Sequence, residues 1–174
     1  MKITKDPTYE TERLIIRPTT IADAAFVYEV MNTEGWLKYI GDRGIKTEED
    51  DKNYILEKIR PQQERLGFSN HTVIRKSDGV KIGSCGLYDR EGLEGVDIGF
   101  AFLPQYGKKG YAFEAATTIK SLALNEFGLT QINAITTPAN IKSQKLLEKL
   151  GLQFVKIIHL PNDPADLMFY QLFV

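Results

Sequence analysis

Apolar positions along the chain shift from a helical spacing to an alternating one and back again, and these shifts outline the architecture. Glu12–Arg17 (ERLIIR) predicts a short strand that Pro18 ends, because proline brings no N–H to a ladder. Thr19 or Thr20 then stands where a helix N-cap belongs, with Asp23 in the next turn and Ala25, Phe26, Tyr28, Val30 and Met31 as the helical stripe. A second helix starts at Thr47. Glu48, Glu49, Asp50 and Asp51 follow it, placed favourably against the dipole and read as a solvated first turn rather than a cation site. Tyr54, Ile55, Ile59 and Leu66 are its expected buried face.

From residue 71 the period becomes two. His71–Arg75 and Val80–Tyr88 read as strands joined by a turn at Ser77-Asp78-Gly79, and Val96–Leu103 follows after the Glu91–Gly95 loop. Short connections imply an antiparallel meander. A long helix, Gly110–Phe127, comes next, with Ala112, Ala115, Ala116, Ile119, Leu122, Ala123 and Phe127 on one face and Gly128 as its stop. Gln131–Thr136 is a strand, Ile141–Leu150 a helix with Gly151 just beyond it, and Phe154–Leu160 and Leu167–Val174 are closing strands. The order predicts an α+β domain: a mixed, largely antiparallel twisted sheet with helices on both faces. Residues 1–174 show no repeat or linker and read as one domain, with 1–8 as an N-terminal extension.

Composition narrows the function classes. The chain has 174 residues, 43% of them apolar, enough for a folded core. Twenty-two Lys and Arg against 23 Asp and Glu leave a formal charge of −1, which argues against a dedicated nucleic-acid binder. Cys85 is the single cysteine, so neither an internal disulfide nor a cysteine-based zinc site is available, and no metal is expected. It reads as a small core residue rather than a covalent nucleophile. Met1–Glu10 lacks the apolar stretch of a signal peptide and no run approaches a membrane span, so a cytoplasmic location is expected.

Chemistry concentrates in two segments. In Phe100–Ala115 (FAFLPQYGKKGYAFEA) a strand meets Pro104, then a loop with Gly107 and Gly110, then the long helix directly. The first N–H groups of a helix have no internal partner, and the dipole favours an anion there. Gly107 and Gly110 allow close backbone approach, and Lys108 and Lys109 add charge. The spacing fits neither a Walker loop nor a dinucleotide fingerprint. In Asn140–Phe154 (NIKSQKLLEKLGLQF), Asn140 is an N-cap and Ser143 shares the face of Leu147 and Leu150.

Together, strand–Pro–Gly-rich loop–long helix, then strand, then Asn-x-x-Ser-x-x-Leu-Leu-Glu-Lys-Leu-Gly resembles the GNAT acetyltransferase superfamily, most closely its RimJ/RimL-like ribosomal-protein N-acetyltransferase branch. Glu12–Pro18 (ERLIIRP) and Val96–Phe100 (VDIGF) are similar to that branch as well, and the likeness spans about residues 9–174. The resemblance implies direct acetyl transfer from acetyl-CoA to a primary amine. It places the pyrophosphate on the loop at Gly107, Lys108, Lys109, Gly110, Tyr111 and Ala112, and the pantetheine arm beside the backbone of Phe102. Asn140 matches the asparagine that contacts the pantetheine side or an ordered water. Ser143 matches the proposed proton donor to the departing thiolate, where many superfamily members use a tyrosine at the position of Leu147. The acidic residue of the preceding strand is here Asp97, a base acting through water, with Glu114, His71 and His159 as the other candidates. Gly107 stands where the family loop usually has Arg or Gln.

Trp36 and Tyr39, expected on a loop over Thr33–Ile45, and Tyr88, near the acidic Glu91–Gly95 loop, are the expected acceptor-binding residues. The acceptor is expected to be a peptide or protein N-terminus. A polyamine, amino acid or aminoglycoside is the alternative, and a non-catalytic acyl-CoA-binding module the rival from another class. The partners implied are acetyl-CoA and an amine, with no nucleic acid and no membrane, in a monomer or homodimer.

Overall fold

Leu14, Ile16, Val73, Leu87, Ile98 and Ile132 all turn to one side of their strands and are at most 2% exposed. Burial on that scale, roughly 25 cal/mol per Å² of apolar surface, fixes the strand registers, since a slip of one residue would turn these side chains to the other face. The computed structural model describes residues 6–174. The strands are β1 (Tyr9–Glu10), β2 (Leu14–Pro18), β3 (Asn70–Arg75), β4 (Val80–Asp89), β5 (Val96–Phe102), β6 (Gln131–Thr136), β7 (Gln153–Ile158) and β8 (Leu167–Phe173). They form one eight-stranded sheet in the order β1-β2-β3-β4-β5-β6-β8-β7. Neighbours are antiparallel except β5 and β6, which run parallel and register at one pair, Asp97 with Asn133. The α+β class and the mixed, largely antiparallel sheet with helices on both faces are as expected. Among the described residues no helix is long and apolar enough to cross a membrane.

The helices are α1 (Ala24–Met31), α2 (Glu34–Tyr39), α3 (Glu48–Tyr54), α4 (Arg60–Leu66), α5 (Tyr111–Asn125) and α6 (Ile141–Lys149). Helices α5 and α6 cover the apolar face through Ala115, Ala116, Ile119, Ala123 and Leu147. Helix α1 lies on the other face, with Phe26 and Val30 against Leu103 and Ala101, while Ala24, Val27 and Met31 pack on Ile55 and Ile59.

Several expected boundaries shift, for physical reasons. The segment with Trp36 and Tyr39 is the helix α2, not a loop, because Thr33 caps it by accepting from the Trp36 N–H at 3.2 Å. The helix from Thr47 has the expected cap but not one regular path. A π-helical turn at Ile55–Ile59 separates α3 from α4, just ahead of Pro61, whose ring and missing N–H cannot continue regular α hydrogen bonding. Tyr54 and Leu66 are only partly buried there, and Asp51 is not solvated but fully buried, one turn before Ile55 on the same helical face. Strand β1 was too short to read from the pattern. Residues 1–5 of the expected 1–8 extension lie outside the described residues, whereas Asp6 pairs with Arg60 at 3.0 Å.

Candidate active site

The parallel pair sets the location. Beyond Asp97 and Asn133, β5 and β6 part, and each runs at its C-terminal end into the N-terminus of a helix, α5 and α6 respectively. Ligands of parallel strands gather at such ends, where unpaired amides and helix dipoles point the same way. The Leu103 N–H donates to the Ile82 carbonyl at 3.0 Å. By the alternation of an antiparallel ladder, Ala101, Gly99 and Asp97 also form hydrogen-bonded pairs with β4, so the peptide groups of Phe102 and Phe100 turn toward the gap. Phe102 is held from below: its ring lies on Gly83, where a Cβ would come within 2.4 Å of it.

The loop between β5 and α5 makes a short 3₁₀ turn, Pro104–Tyr106, and then two left-handed residues, Lys108 at φ 61° and Gly110 at φ 80°. Gly110 is the N-cap of α5, so the helix opens with no side-chain cap over its first amides. The Glu114 N–H already bonds the Gly110 carbonyl at 3.0 Å, and the N–H groups of Tyr111, Ala112 and Phe113 precede it in the first turn. Gly107, Lys108, Lys109 and Gly110 are exposed. The structure thus places these amides and the two lysines together at the exposed start of α5. Across the gap, Asn140 caps α6 by accepting from the Ser143 N–H at 3.3 Å, which leaves its amide nitrogen available. Ser143 is half-buried, and its hydroxyl has no protein partner among the described residues. Leu147 is buried beneath it at 1% exposure.

On the opposite face of the sheet lies a polar, glycine-lined floor. Asn70, Gly86 and Gly99 sit side by side across β3, β4 and β5, as do Thr72, Ser84 and Ala101, with Tyr88 beside Asp97. The Tyr88 ring lies in the slot left by Gly99 and Gly86, since a Cβ at Gly99 would be 2.9 Å from the ring. The Tyr88 hydroxyl donates to Asn70 Oδ1 at 2.6 Å, Asn70 Nδ2 donates to Thr19 Oγ1 at 2.8 Å, and Thr72 Oγ1, 2.9 Å from Thr19 Oγ1, donates to Asp23 Oδ2 at 3.2 Å. Burial alone would raise the Asp23 carboxyl. Hydrogen bonds from Arg17, Lys81 and the Thr20 N–H overcome this and hold it below the usual range.

Asp97 is 1% exposed, and both its oxygens lie 2.9 Å from Arg90 Nε. Burial raises its proton affinity and Arg90 offsets part of that rise. The other acid–base candidates are placed differently. His71 is buried on the apolar face, where burial lowers it to about 4 despite a hydrogen bond to the Ser69 carbonyl, so it does not titrate near neutrality. Glu114 is committed to Thr11 and Arg13, which hold it ionised against the effect of burial. His159 is exposed and bonded to Asp166 at the far edge of the sheet. Cys85 is fully buried, and burial pushes its thiol up, as suits a core residue.

Trp36 packs between the α1–α3 cluster and the end of β5, near Ala101 and Tyr106, with its Nε1 buried and without a hydrogen-bond partner among the described residues. Tyr39 is half-buried at the end of α2. Residues that sequence reasoning missed are Arg90, the partner of Asp97, the Asn70–Thr19–Thr72 chain behind Tyr88, and Arg13, which reaches the loop from β2. Each acts through a side-chain contact that the folded sheet makes, across the β4–β5 connection for Arg90 and Asp97, 7 positions apart, and over 96 positions for Arg13 and Lys109, and alternation along one strand carries no trace of it.

The acetyltransferase (GNAT) domain model matches residues 13–153. The uncharacterized N-acetyltransferase YnaD of Bacillus subtilis (strain 168) is 33% identical over 164 residues, 92% of this chain and 93% of that relative. Among solved structures, the GNAT-family acetyltransferase from Bacillus anthracis is similar with a TM-score of 0.78 at 28% identity, covering 96% of this chain and 98% of its own. RimL, a ribosomal L7/L12 alpha-N-protein acetyltransferase in complex with coenzyme A, shares the fold with a TM-score of 0.80 at 11% identity, over 97% and 98% of the two chains.

Proposed function

The chain belongs to the GNAT acetyltransferase family, and from that premise we propose that it carries acetyl from acetyl-CoA to the primary amine at the N-terminus of a peptide or protein. The observation that carries the reading is the parting of β5 from β6, each of which runs on at its C-terminal end toward the N-terminus of a helix. In this reading the amides of Gly110, Tyr111 and Ala112 hold the pyrophosphate, with Lys108 and Lys109 adding charge and Gly107 leaving room. The Phe102 peptide pairs with the pantetheine arm, and Asn140 steadies it from α6. Acetyl-CoA supplies an acetyl group already activated as a thioester, so the protein's tasks are orientation and proton movement.

Ser143 supplies the proton that the departing thiolate takes up. Asp97, its proton affinity raised by burial, receives the proton of the amine through water. Tyr88, its hydroxyl proton committed to Asn70, and Trp36, its indole N–H without a hydrogen-bond partner among the described residues, line the acceptor side. Two features favour a peptide. No residue of α2 is buried, and Leu37 and Ile40, next to Trp36 and Tyr39, stand 41% and 43% exposed, apolar surface that a peptide chain could cover. The RimL neighbour is a protein N-terminal acetyltransferase by its description.

The test is free-thiol release from acetyl-CoA against N-terminal peptides, polyamines, amino acids and aminoglycosides, with coenzyme A binding measured in parallel. Release with peptides is expected. Release confined to small amines would replace the peptide reading, and binding without release from any acceptor would favour a sensor. Absence of binding would remove the coenzyme A site.

A further inference from the structure

Arg13 directly precedes β2, yet its guanidinium reaches the loop at the start of α5. Its Nε donates to Glu114 Oε1 at 2.8 Å, and its Nη1 donates to the Lys109 carbonyl at 2.9 Å. Its central carbon lies 4.4 Å from the centroid of the Tyr111 ring. A Cβ built on Gly110 would be 3.4 Å from Nη2, so the arginine packs against bare backbone there. Glu114 also accepts from the Arg13 N–H at 3.1 Å and from the Thr11 hydroxyl. One carboxylate on α5 therefore fixes both the main chain and the side chain of Arg13.

A trans peptide points its C=O and its N–H in opposite directions. The Lys109 carbonyl and the Gly110 N–H belong to one such unit, and none of the peptide bonds among the described residues is cis. With the carbonyl turned to Arg13, the Gly110 N–H faces away from Arg13. A cationic donor on the carbonyl also polarises the unit and makes that N–H a stronger donor. Left to itself the unit is free to turn over, because glycine accepts either sign of φ at little cost. Lys108 at φ 61° is, by contrast, a side-chain-bearing residue in a sparsely populated conformation, so the loop needs support from outside.

We propose that Arg13 is a positioning residue that locks the Lys109–Gly110 peptide with its N–H outward, so that Gly110 joins Tyr111 and Ala112 in one row of donors to a diphosphate. The inference rests on the reading that this loop receives the pyrophosphate of coenzyme A.

The experiment measures dissociation constants for coenzyme A and for pantetheine, which lacks the nucleotide and its phosphates, by calorimetry on wild type, Arg13→Met and Arg13→Lys. Arg13→Met is expected to weaken coenzyme A about tenfold, a typical worth for one charge-assisted contact, and to leave pantetheine within about twofold. Arg13→Lys keeps the charge but cannot span both acceptors, and its coenzyme A affinity is expected to fall between. Unchanged coenzyme A affinity in Arg13→Met, or equal losses for both ligands, would overturn the proposal. Wild type binding coenzyme A no more tightly than pantetheine would instead overturn the reading of the loop.

Discussion

The two faces of the sheet are built on opposite principles. Under α5 and α6, β-strand side chains are branched and apolar: Leu14, Ile16, Val73, Leu87, Ile98 and Ile132 interlock with Ile119 and Leu147. On the α1 face, the same strands present Thr72, Asn70, Ser84, Gly86, Gly99, Tyr88 and Asp97, and hydrogen bonds do the work of packing. The first face stabilises the fold. The second holds polar groups at fixed angles, which hydrophobic contact alone does not achieve, because it has no direction. Substitutions of the strand side chains should therefore differ by face: on the apolar face stability falls while turnover per folded molecule is kept, whereas on the polar floor acceptor handling changes as well.

The largest effect is expected on the apolar face. Ile119→Ala removes a fully buried side chain and should cost about 2–5 kcal/mol in urea unfolding, with turnover per folded molecule nearly unchanged. A loss of turnover at full stability would contradict the division between faces. Next comes the pair of buried titratable groups, one on each side of the sheet. Burial lifts the Asp51 carboxyl to about 7, so the folded state holds a proton that the unfolded chain releases from its ordinary value of 3.8. Stability from this group is intact below pH 4 and is lost as pH rises toward 7, by roughly 1.4 kcal/mol per unit at most.

His71 has the opposite slope. Its lowered value means that the unfolded state binds the proton first, so stability is lost as pH falls from 6.5 toward 4. The advantage of Asp51→Asn over wild type should thus grow with pH between 4 and 7, as measured by thermal melts across that range. A constant difference would mean that Asp51 is ionised in the folded protein. On the polar floor, Gly99→Ala should push the Tyr88 ring aside, costing about 1–3 kcal/mol and raising the KM of the acceptor more than that of acetyl-CoA. Equal changes in both KM values would detach Tyr88 from acceptor binding. The smallest structural effect belongs to Ser143→Ala, expected within about 0.5 kcal/mol of wild type. Its turnover should fall about tenfold or more at unchanged coenzyme A affinity, and undiminished turnover would remove Ser143 as the proton donor.

What the sequence disclosed follows from how local the determinants are. The strand–loop–helix at Phe100–Ala115 was readable because proline, the glycines and the 3.6-residue stripe of α5 are all contiguous signals. Asn140 as the cap of α6 was readable for the same reason. Asp51 was misread because three acidic neighbours disguise its position one turn before Ile55. Helix α2 was missed because Gly35 lies inside it, and β1 because two residues carry no period. Arg13, Arg90 and Asn70 acquire their roles only from partners brought close by the sheet, such as Lys109, 96 positions away from Arg13. The order of strands is legible as a list of segments. The contact of one parallel pair, on which the proposed site is placed, is a property of the assembled sheet.

That parallel pair has a mechanical consequence. With one bridge between β5 and β6, the eight strands form a five-strand wing and a three-strand wing joined at a single rivet and resting on a shared bed of α5 and α6. On the proposed placement, the pantetheine arm occupies the opening as a surrogate strand, its amides completing rungs that β6 withdraws from. The polypeptide in this sense encodes an unfinished piece of secondary structure. On that placement the co-substrate would be a stitch that ties the wings together for as long as it remained bound.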